Sequence, residues 1–524
     1  MTSRTITLDG TRTRPADITD IAYADAPVSL ATEGLDRAAA AHKAAAEIAR
    51  RRPVYGLNTG VGANRTEDVA PADSDTHGLR LLRSHAGGIG PLVPAPQVRA
   101  MLAVRANQIL AGGAGLQPVF AEALAQALNS GHLPEIHEIG AIGTGDLTAL
   151  AEAGLTLIGE RPWTGGHLGE RPWTGGHLGE RPWTGGHLGE RPWTGGHAGE
   201  RPSSGGHAAA PGPIRLETGD ALAFCSSSAL TIGQAVLGWS DITRLLRATQ
   251  VVAALSLIAV DGGGEPYDEQ VHAGRPHPGN VAVAAEMRRL LGGRAAPPAR
   301  VQDPFGYRCF PQVHGPAVEA ATALERVLDV EINSASENPL ISAGSGTVHH
   351  HGGFHQATLG LTLDHLRVAL LHTAHLSAAR LATLVEPAFT GLRPFLAEGA
   401  PASSGVMILE YSANSALAQL RNAAYPAALG HAVLSRGVEE HASFAAQSAR
   451  QTLQAAASYR LVLACELVAV VRALRQRGVT PGPSTPTGAA FAAAAPRLDP
   501  RGEDRSLSAD VEVAATLLDA LAEI

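Results

Sequence analysis

Residues 359–370 read LGLTLDHLRVAL, a stretch in which leucine returns at steps of four, three and four residues. This spacing places one apolar stripe along a helix. The same spacing links Leu463, Leu467, Val470 and Leu474, and helical patterns also cover 317–331, 407–420 and 441–453. Strand-like alternation is rare and short. The sequence therefore predicts a mostly α fold, a bundle of long helices whose remaining apolar stripes pair across the subunits of a homo-oligomer.

Composition limits the classes of partner. The chain has 524 residues, 45% of them hydrophobic and 17% charged, and a net charge of −8. This balance indicates a folded protein of several regions with no general attraction for nucleic acid or anionic lipid. Residues 1–20 are polar, and the apolar run 461–474 is interrupted by Glu466 and Arg472, so we expect a cytoplasmic protein with no membrane partner. Cys225, Cys309 and Cys465 are too scattered for a disulfide framework or a metal motif.

The lysine content excludes further classes. Lys43 is the only lysine, and no Walker A motif is present. Pyridoxal phosphate requires a lysine for its Schiff base. Because Lys43 lies in the alanine-rich stretch 35–52, which has the pattern of an exposed helix face, a pyridoxal-phosphate enzyme is not expected.

Residues 160–199 contain four tandem copies of a ten-residue unit, ERPWTGGHLG, with alanine for leucine in the last copy and a decayed fifth copy after it. Its proline and glycine content predicts a flexible insertion, and a metal or partner site on its Trp and His residues is the alternative. We predict four regions: an N-terminal active-site region (1–159), the repeat insertion (160–210), the central long-helix bundle (211–480), and a linker with a C-terminal helix (481–524).

Residues 140–147 read GAIGTGDL, three glycines in six residues leading into a helical pattern. Such a loop allows close approach of backbone to a ligand. It favours either an anion site at a helix N-terminus or a simple N-cap made by Asp146.

Five motifs in order make the chain resemble a known family, the aromatic amino acid ammonia-lyases and related aminomutases. They are VYGLNTGVG (54–62), RSHAGG (83–88), the loop 140–147, QDPFGYRC (302–309) and SENPL (336–340). The resemblance covers about residues 54–474, apart from the repeats. It implies a homotetrameric long-helix bundle of the ammonia-lyase type, with the glycine-rich active-site loop in its N-terminal region.

The resemblance also implies an electrophile of the 4-methylidene-imidazol-5-one type, formed by cyclisation of three residues, here Gly143, Thr144 and Gly145. Glycine in the last position lets its nitrogen reach the carbonyl two residues back. The middle residue must lose a β-hydroxyl, and threonine carries one. Threonine nevertheless departs from the family's serine, because its extra methyl hinders attack at the β-carbon. Gly143 likewise replaces the family's alanine.

Other departures fall in the implied substrate pocket. Cys225 aligns with an asparagine that supports the ring and the substrate amine, and Phe305 stands where many members have tyrosine. The glutamate of histidine-specific members has no counterpart in 418–422.

The remaining site residues follow from their motif positions. Tyr55 resembles the base for the β-proton and would need a lowered pKa; a core tyrosine is its alternative. Arg308 would hold the substrate carboxylate in a bidentate fork, unless it forms a structural ion pair. His85 would contact a polar substrate ring, or is an interior histidine. Asn338 and Phe354 match positions that line the site, and Asn58 and Gly60 match the inner lid loop.

A histidine cluster and a glutamate within a helix are predicted to be structural. The adjacent His349, His350 and His351 with nearby His355 point in different directions on a loop, so no metal site is predicted. Glu466, within an apolar helix, is expected to pair with an arginine.

We therefore expect a lyase that eliminates ammonia from an aromatic L-amino acid, histidine- or tyrosine-like, to give an α,β-unsaturated acid. One alternative is a divergent member without the ring that catalyses amine migration or a biosynthetic addition. Another is a non-catalytic protein that uses the repeats to bind a partner or metal.

Overall fold

The structure is a computed structural model that describes residues 4–70, 74–165, 209–292 and 299–524. The predicted insertion lies largely outside the described residues, which resume at 209. Within these ranges the fold is mostly helical, as the leucine spacing predicts. The division into four regions stays a prediction.

The N-terminal part contains seven of the helices in the described ranges. They are α1 (Pro15–Tyr23), α2 (Thr32–Ala49), α3 (Ser74–His85), α4 (Ala95–Leu110), α5 (Val119–Ser130), α6 (Leu147–Leu157) and α7 (Asp220–Cys225). Lys43 is exposed on α2, as expected from the alanine pattern.

The bundle and the C-terminal part follow. Their helices are α8 (Ala229–Ala259), α9 (Glu269–Ala273), α10 (Pro278–Leu291), α11 (Phe305–Arg308), α12 (Phe310–Ile332), α13 (Ala357–Leu384), α14 (Pro387–Thr390), α15 (Ile408–Ala423), α16 (Ala445–Gln476), α17 (Pro486–Ala494) and α18 (Ser508–Leu521).

Strands are short and form only two-stranded sheets in the described part of the chain. β1 (Ile6–Leu8) pairs with β2 (Val28–Leu30) in parallel. The antiparallel pairs are β3 (Ile89–Leu92) with β5 (His137–Ile139), β4 (His132–Leu133) with β6 (Thr164–Gly165), and β7 (Leu340–Ser342) with β8 (Thr347–His349). These ribbons connect helices and build no layer of their own.

The core lies between the long helices. α16 packs on α8, α13 and α15, and α12 packs on α13. The two apolar stripes that the leucine spacing marks are fully buried: Leu359, Leu363, Leu366 and Leu370 on α13, and Leu463, Leu467, Val470 and Leu474 on α16. Burial of such side chains contributes about 1.5–3 kcal/mol each, so packing of these stripes stabilises the bundle.

Glu466 has the arginine partner that its position predicts. Its carboxylate, fully buried on α16, lies 2.6 Å from Arg380 Nε of α13 and also accepts hydrogen bonds from Ser256 and Ser377. A buried carboxylate is tolerated only when its charge and lone pairs are satisfied in this way.

One helical stretch, Asp220–Ala259, is long and apolar enough to cross a membrane by length and composition. In the structure 94% of its most apolar window is buried inside the protein. Its hydrophobicity is therefore accounted for by the bundle core that it occupies.

The expected linker after the bundle is partly helical. α17 starts behind Thr485, whose hydroxyl accepts a hydrogen bond from the Gly488 amide, and Pro486 occupies its first position. Threonine at the N-cap and proline at N1 are helix-start signals, and the alanines that follow favour a helix. A second helix of this region, α18, follows at Ser508–Leu521.

Candidate active site

A cavity of about 1040 Å³ is lined by six of the predicted site residues. Tyr55, His85, Thr144, Asn338 and Phe354 all line it, together with Gly145. They come from loops far apart in sequence that meet beside α3, α6 and α13.

The glycine loop has a conformation that requires glycine. Gly143 and Gly145 have φ values of +86° and +117°, which L side chains rarely adopt. A Cβ on Gly143 would lie 2.1 Å from Ser443 Oγ. The Gly143 carbonyl accepts a hydrogen bond from that hydroxyl at 2.7 Å and one from the Gln356 amide at 3.2 Å. Glycine thus lets the loop pack against the segment before α16.

The loop has the groups that cyclisation needs. The Gly143 carbonyl is polarised by two donors. Thr144 places its β-hydroxyl side chain on the cavity wall. At Gly145 the nearest atom to an added Cβ would be 3.8 Å away, so the third residue has space to move. The residues present fit a ring of the implied type.

Asp146 does not make the N-cap hydrogen bond that its sequence position suggested. It occupies the N-cap position of α6, but its side chain makes no capping bond there. Instead its carboxylate accepts the Thr231 amide at 2.7 Å and the Thr231 hydroxyl at 2.8 Å, at the start of α8. Burial raises the pKa of this carboxyl to about 6. The residue joins the loop to the bundle.

Tyr55 is held by its own loop. Its hydroxyl accepts a hydrogen bond from the Gly62 amide at 2.7 Å, and its amide donates to His350 Nε2 at 3.2 Å. Burial raises the pKa of Tyr55, and the nearby Glu439 raises it further, against the opposing effects of Gly62 and Arg65. The lowered pKa expected for a base is therefore not present in the single chain, because no cation there outweighs burial.

The lid-loop residues have structural contacts. Asn58 accepts the Val54 amide at 2.7 Å and donates to the Ala49 carbonyl at 2.9 Å, which ties the loop to the end of α2. A Cβ on Gly60 would lie 2.4 Å from the Asn64 carbonyl oxygen. Both residues shape the loop that carries Tyr55.

His85 ends α3 at the cavity wall. Its Nδ1 lies 2.9 Å from the Leu81 carbonyl oxygen and 3.0 Å from Ser84 Oγ. Both contacts involve Nδ1, and they fix the orientation of the ring.

Cys225 does not line this cavity, and its neighbour Ser226 does. Cys225 is fully buried in the core, where desolvation raises the pKa of its thiol to about 12. The Ser226 hydroxyl accepts the Asn338 amide at 3.1 Å, and the Asn338 side-chain oxygen accepts the His351 amide at 3.0 Å. Ser226, and not Cys225, therefore lies on the wall of this cavity.

A buried ion pair stabilises the part of the cavity wall that Ser226 and Asn338 form. Arg105 on α4 lies 2.6 Å from Glu337, which precedes Asn338 in the chain, and both side chains are buried. The same guanidinium donates to the carbonyls of Ala223 and Phe224. Arg105 therefore fixes the two segments that present Ser226 and Asn338.

Phe305 and Arg308 are not brought to this cavity by their own chain. The Phe305 ring is 62% exposed, and the Arg308 guanidinium carbon lies 4.5 Å from the centre of that ring. The Nε atom of Arg308 is buried without a hydrogen-bond partner. No ion pair within the described residues accounts for this arginine.

The structure adds residues that the sequence motifs did not identify. Glu439, Glu440 and His441, which precede α16, line the cavity with His355. His355 Nε2 lies 3.1 Å from His441 Nδ1. These acidic side chains follow residues 418–422, where no glutamate is present, by about twenty residues. Their signal in the sequence was the adjacent Glu-Glu-His.

The three adjacent histidines have three different contacts. His349 lies 3.0 Å from Thr347 Oγ1, His350 accepts the Tyr55 amide, and His351 Nε2 lies 2.8 Å from the Glu337 carbonyl oxygen. They diverge, as their loop position suggests.

The fold and the cavity define a class, and comparison with known proteins identifies it. Residues 13–496 match the family described as aromatic amino acid lyase. The chain belongs to this family, and it is a carbon–nitrogen lyase. Enzymes of this family depend on a group of the 4-methylidene-imidazol-5-one type and not on pyridoxal phosphate.

The chain is similar to particular members of this family and to solved structures. Histidine ammonia-lyase from Sorangium cellulosum (strain So ce56) is 34% identical over 519 residues, covering 96% of this chain and 95% of that protein. Histidine ammonia-lyase from Streptomyces coelicolor (strain ATCC BAA-471 / A3(2) / M145) is 31% identical over 513 residues, covering 95% and 93%. The crystal structure of tyrosine aminomutase from Streptomyces globisporus superposes with a TM-score of 0.85 at 25% identity, covering 98% and 97%.

Proposed function

We propose that this lyase eliminates ammonia from an aromatic L-amino acid, histidine-like or tyrosine-like, to give an α,β-unsaturated acid. The observation that carries the proposal is the meeting of Tyr55, His85, Thr144, Asn338 and Phe354 on one cavity. Gly143, Thr144 and Gly145 would form the ring, which supplies an electron sink for loss of the amino group.

Tyr55 is the proposed proton acceptor. Its hydroxyl is fixed by the Gly62 amide and lies on the same cavity as Thr144. A base acts efficiently when its pKa is near the working pH. A further cation beside the phenol would lower the pKa and move the tyrosine toward that range.

The cavity wall favours a substrate ring with polar atoms. His85 and Glu439 offer polar groups, and Phe354 offers an aromatic face. A carboxylate beside the substrate favours an imidazole, which donates hydrogen bonds and carries a positive charge when protonated. Glu439 therefore favours a histidine-like substrate over a tyrosine-like one.

We propose that a second copy of the chain completes the site within a homotetramer. Arg308 would then bring the carboxylate-binding guanidinium and Phe305 an apolar wall. Their separation from the cavity of their own chain, with Phe305 exposed, supports this arrangement. The long helices also leave large apolar side chains exposed, among them Leu361, Ile408 and Tyr411. The Arg308 cation would supply the charge that lowers the pKa of Tyr55.

A second candidate is amine migration or another biosynthetic reaction at the same cavity. Such a reaction would not use the ring, and Thr144 in place of serine favours it because a methyl on the exocyclic carbon hinders attack there. A cytoplasmic location stays a prediction.

Product analysis separates these candidates. The purified protein is incubated with L-histidine, L-tyrosine and L-phenylalanine, and ammonia, ultraviolet absorbance and β-amino acids are measured. We expect ammonia and an absorbing unsaturated acid in equal amounts from at least one substrate. A β-amino acid without ammonia would establish the migration instead, and no product from any of the three would contradict the proposed substrate class.

A further inference from the structure

The carbonyl of Gly143 has an unusual environment for a loop carbonyl. It accepts the Ser443 hydroxyl at 2.7 Å and the Gln356 amide at 3.2 Å. Both donor residues are buried, Ser443 at 4% and Gln356 at 1% exposure. Two donors shielded from water thus converge on one carbonyl oxygen.

Each donor is fixed by the start of a long helix. Gln356 is the N-cap residue of α13, and Ser443 directly precedes the N-cap residue of α16. The Ser443 hydroxyl also accepts the Ala445 amide at 3.3 Å, so its own proton is directed to Gly143. The Phe444 amide donates to the Ile142 carbonyl at 2.7 Å, which holds the two segments in register. The positive ends of two helix dipoles therefore lie near this oxygen.

We propose that Ser443 and the Gln356 amide form a catalytic donor pair for the self-cyclisation of residues 143–145. This inference rests on the proposed function, which requires the ring. The Gly145 nitrogen attacks the Gly143 carbonyl carbon, a C–N bond forms, and negative charge develops on the carbonyl oxygen. Donors placed at a developing oxyanion lower the barrier of such a step.

The remaining steps of the cyclisation need no oxidant or reductant. The Gly145 amide proton moves to the oxygen, giving a hydroxyl on the Gly143 carbon. This hydroxyl leaves as water with the proton of the Thr144 amide, and a C=N bond forms between the Gly143 carbon and the Thr144 nitrogen. Thr144 then loses its Cα hydrogen and its β-hydroxyl as a second water.

The donor pair also explains the glycine at 143. A Cβ there would lie 2.1 Å from Ser443 Oγ and 2.6 Å from the Ala445 amide nitrogen. Glycine is thus the residue that allows the serine to reach the carbonyl in this loop conformation. The departure from alanine follows from the approach of Ser443.

The test follows the mass of the full-length chain after synthesis. We expect the wild type to lose the mass of two water molecules, and Ser443→Ala to do so about 100-fold more slowly, the usual effect of removing one oxyanion donor. Ser443→Cys keeps a weak donor and is expected to fall between them, which preserves the test if the alanine variant does not fold. Ser448→Ala is the matched control, since its buried hydroxyl contacts Asp364 and not the loop; its cyclisation should match the wild type.

Circular dichroism and the oligomeric state show that each variant is folded. Cyclisation of Ser443→Ala at the wild-type rate would overturn the donor role while leaving the proposed function intact. If the wild type keeps its full mass, the ring from Thr144 fails, and the same comparison is made in a Thr144→Ser background. If this background loses two waters and the Ser443→Ala change slows that loss, the donor pair is supported. If the loss does not depend on Ser443, or if no cyclisation occurs, the donor pair is overturned.

Discussion

Asp146 accepts two hydrogen bonds from Thr231, one from its amide at 2.7 Å and one from its hydroxyl at 2.8 Å. A residue at the N-cap position of one helix thus caps another helix that starts about eighty residues later. The Asp146 amide in turn donates to the Ser227 carbonyl at 2.7 Å. The glycine loop is thereby fixed to the first turn of α8, next to the wall that presents Ser226.

The Asp146 contact makes stability depend on pH in a defined direction. Burial raises the pKa of the folded carboxyl from 3.8 to about 6, so the folded state holds the proton more tightly than the unfolded state. The resulting stabilisation is complete below about pH 4 and is lost as the pH rises through 6. A shift of this size corresponds to about 3 kcal/mol. We expect the difference between the urea midpoints of Asp146→Asn and the wild type to increase in favour of the variant between pH 4 and pH 7. A constant difference across this range would contradict the raised pKa.

The charge on Glu439 adds to the effect of burial on the ionisation of Tyr55. Because Glu439 raises the pKa of Tyr55, Glu439→Gln should lower it and move the rise of kcat/KM to lower pH. Glu440→Gln is the control, since Glu440 lines the same cavity but does not contribute to the Tyr55 pKa shift. The measurement is the pH profile of product formation. Equal profiles for the wild type and Glu439→Gln would exclude Tyr55 as the titrating base.

Gly143 should tolerate no side chain. Its φ of +86° and the 2.1 Å approach of a Cβ to Ser443 Oγ predict that Gly143→Ala costs about 1–3 kcal/mol of unfolding free energy. Gly344→Ala, where an added Cβ meets nothing within 4 Å, should change stability by less than about 0.5 kcal/mol. Urea denaturation compares the two variants. Equal stabilities would show that the loop does not need the conformation described.

Subunit mixing tests whether the site is shared between chains. Tyr55→Phe should lower kcat/KM by roughly 10²–10⁴-fold as loss of a general base, and Arg308→Ala should raise KM strongly as loss of a bidentate carboxylate contact. If the two residues act from different chains, co-expressed variants form hybrids in which some sites keep both residues. We expect such hybrids to recover part of the activity. Hybrids as inactive as either parent would place both residues in one chain's site.

The sequence was sufficient for the bundle and for part of the cavity. The stripes that include Leu366 and Leu467 mark core faces because apolar residues repeating about every 3.6 positions lie on one side of a helix. The motifs around Tyr55, Thr144 and Asn338 identify side chains that do meet on one cavity. Glu466 and Arg380 pair because a charge in an apolar helix needs a partner.

The other features of the site depend on tertiary contacts that local sequence patterns do not encode. A six-residue helix, α7, gives no periodicity to decide whether Cys225 or Ser226 faces the cavity. Ser443 contacts the glycine loop from three hundred residues away, and Glu439 lines the same cavity, through the packing of α16 on the bundle. The capping of α8 by Asp146 is likewise a tertiary contact that overrides the local N-cap preference.

The central claim is that this lyase makes its electrophile from Gly143, Thr144 and Gly145. The most direct measurement is the mass of the proteolytic peptide that contains residues 140–147, taken from protein that releases ammonia from its substrate. The account predicts a peptide lighter than its sequence by two water molecules. A peptide of full mass in active protein would contradict it.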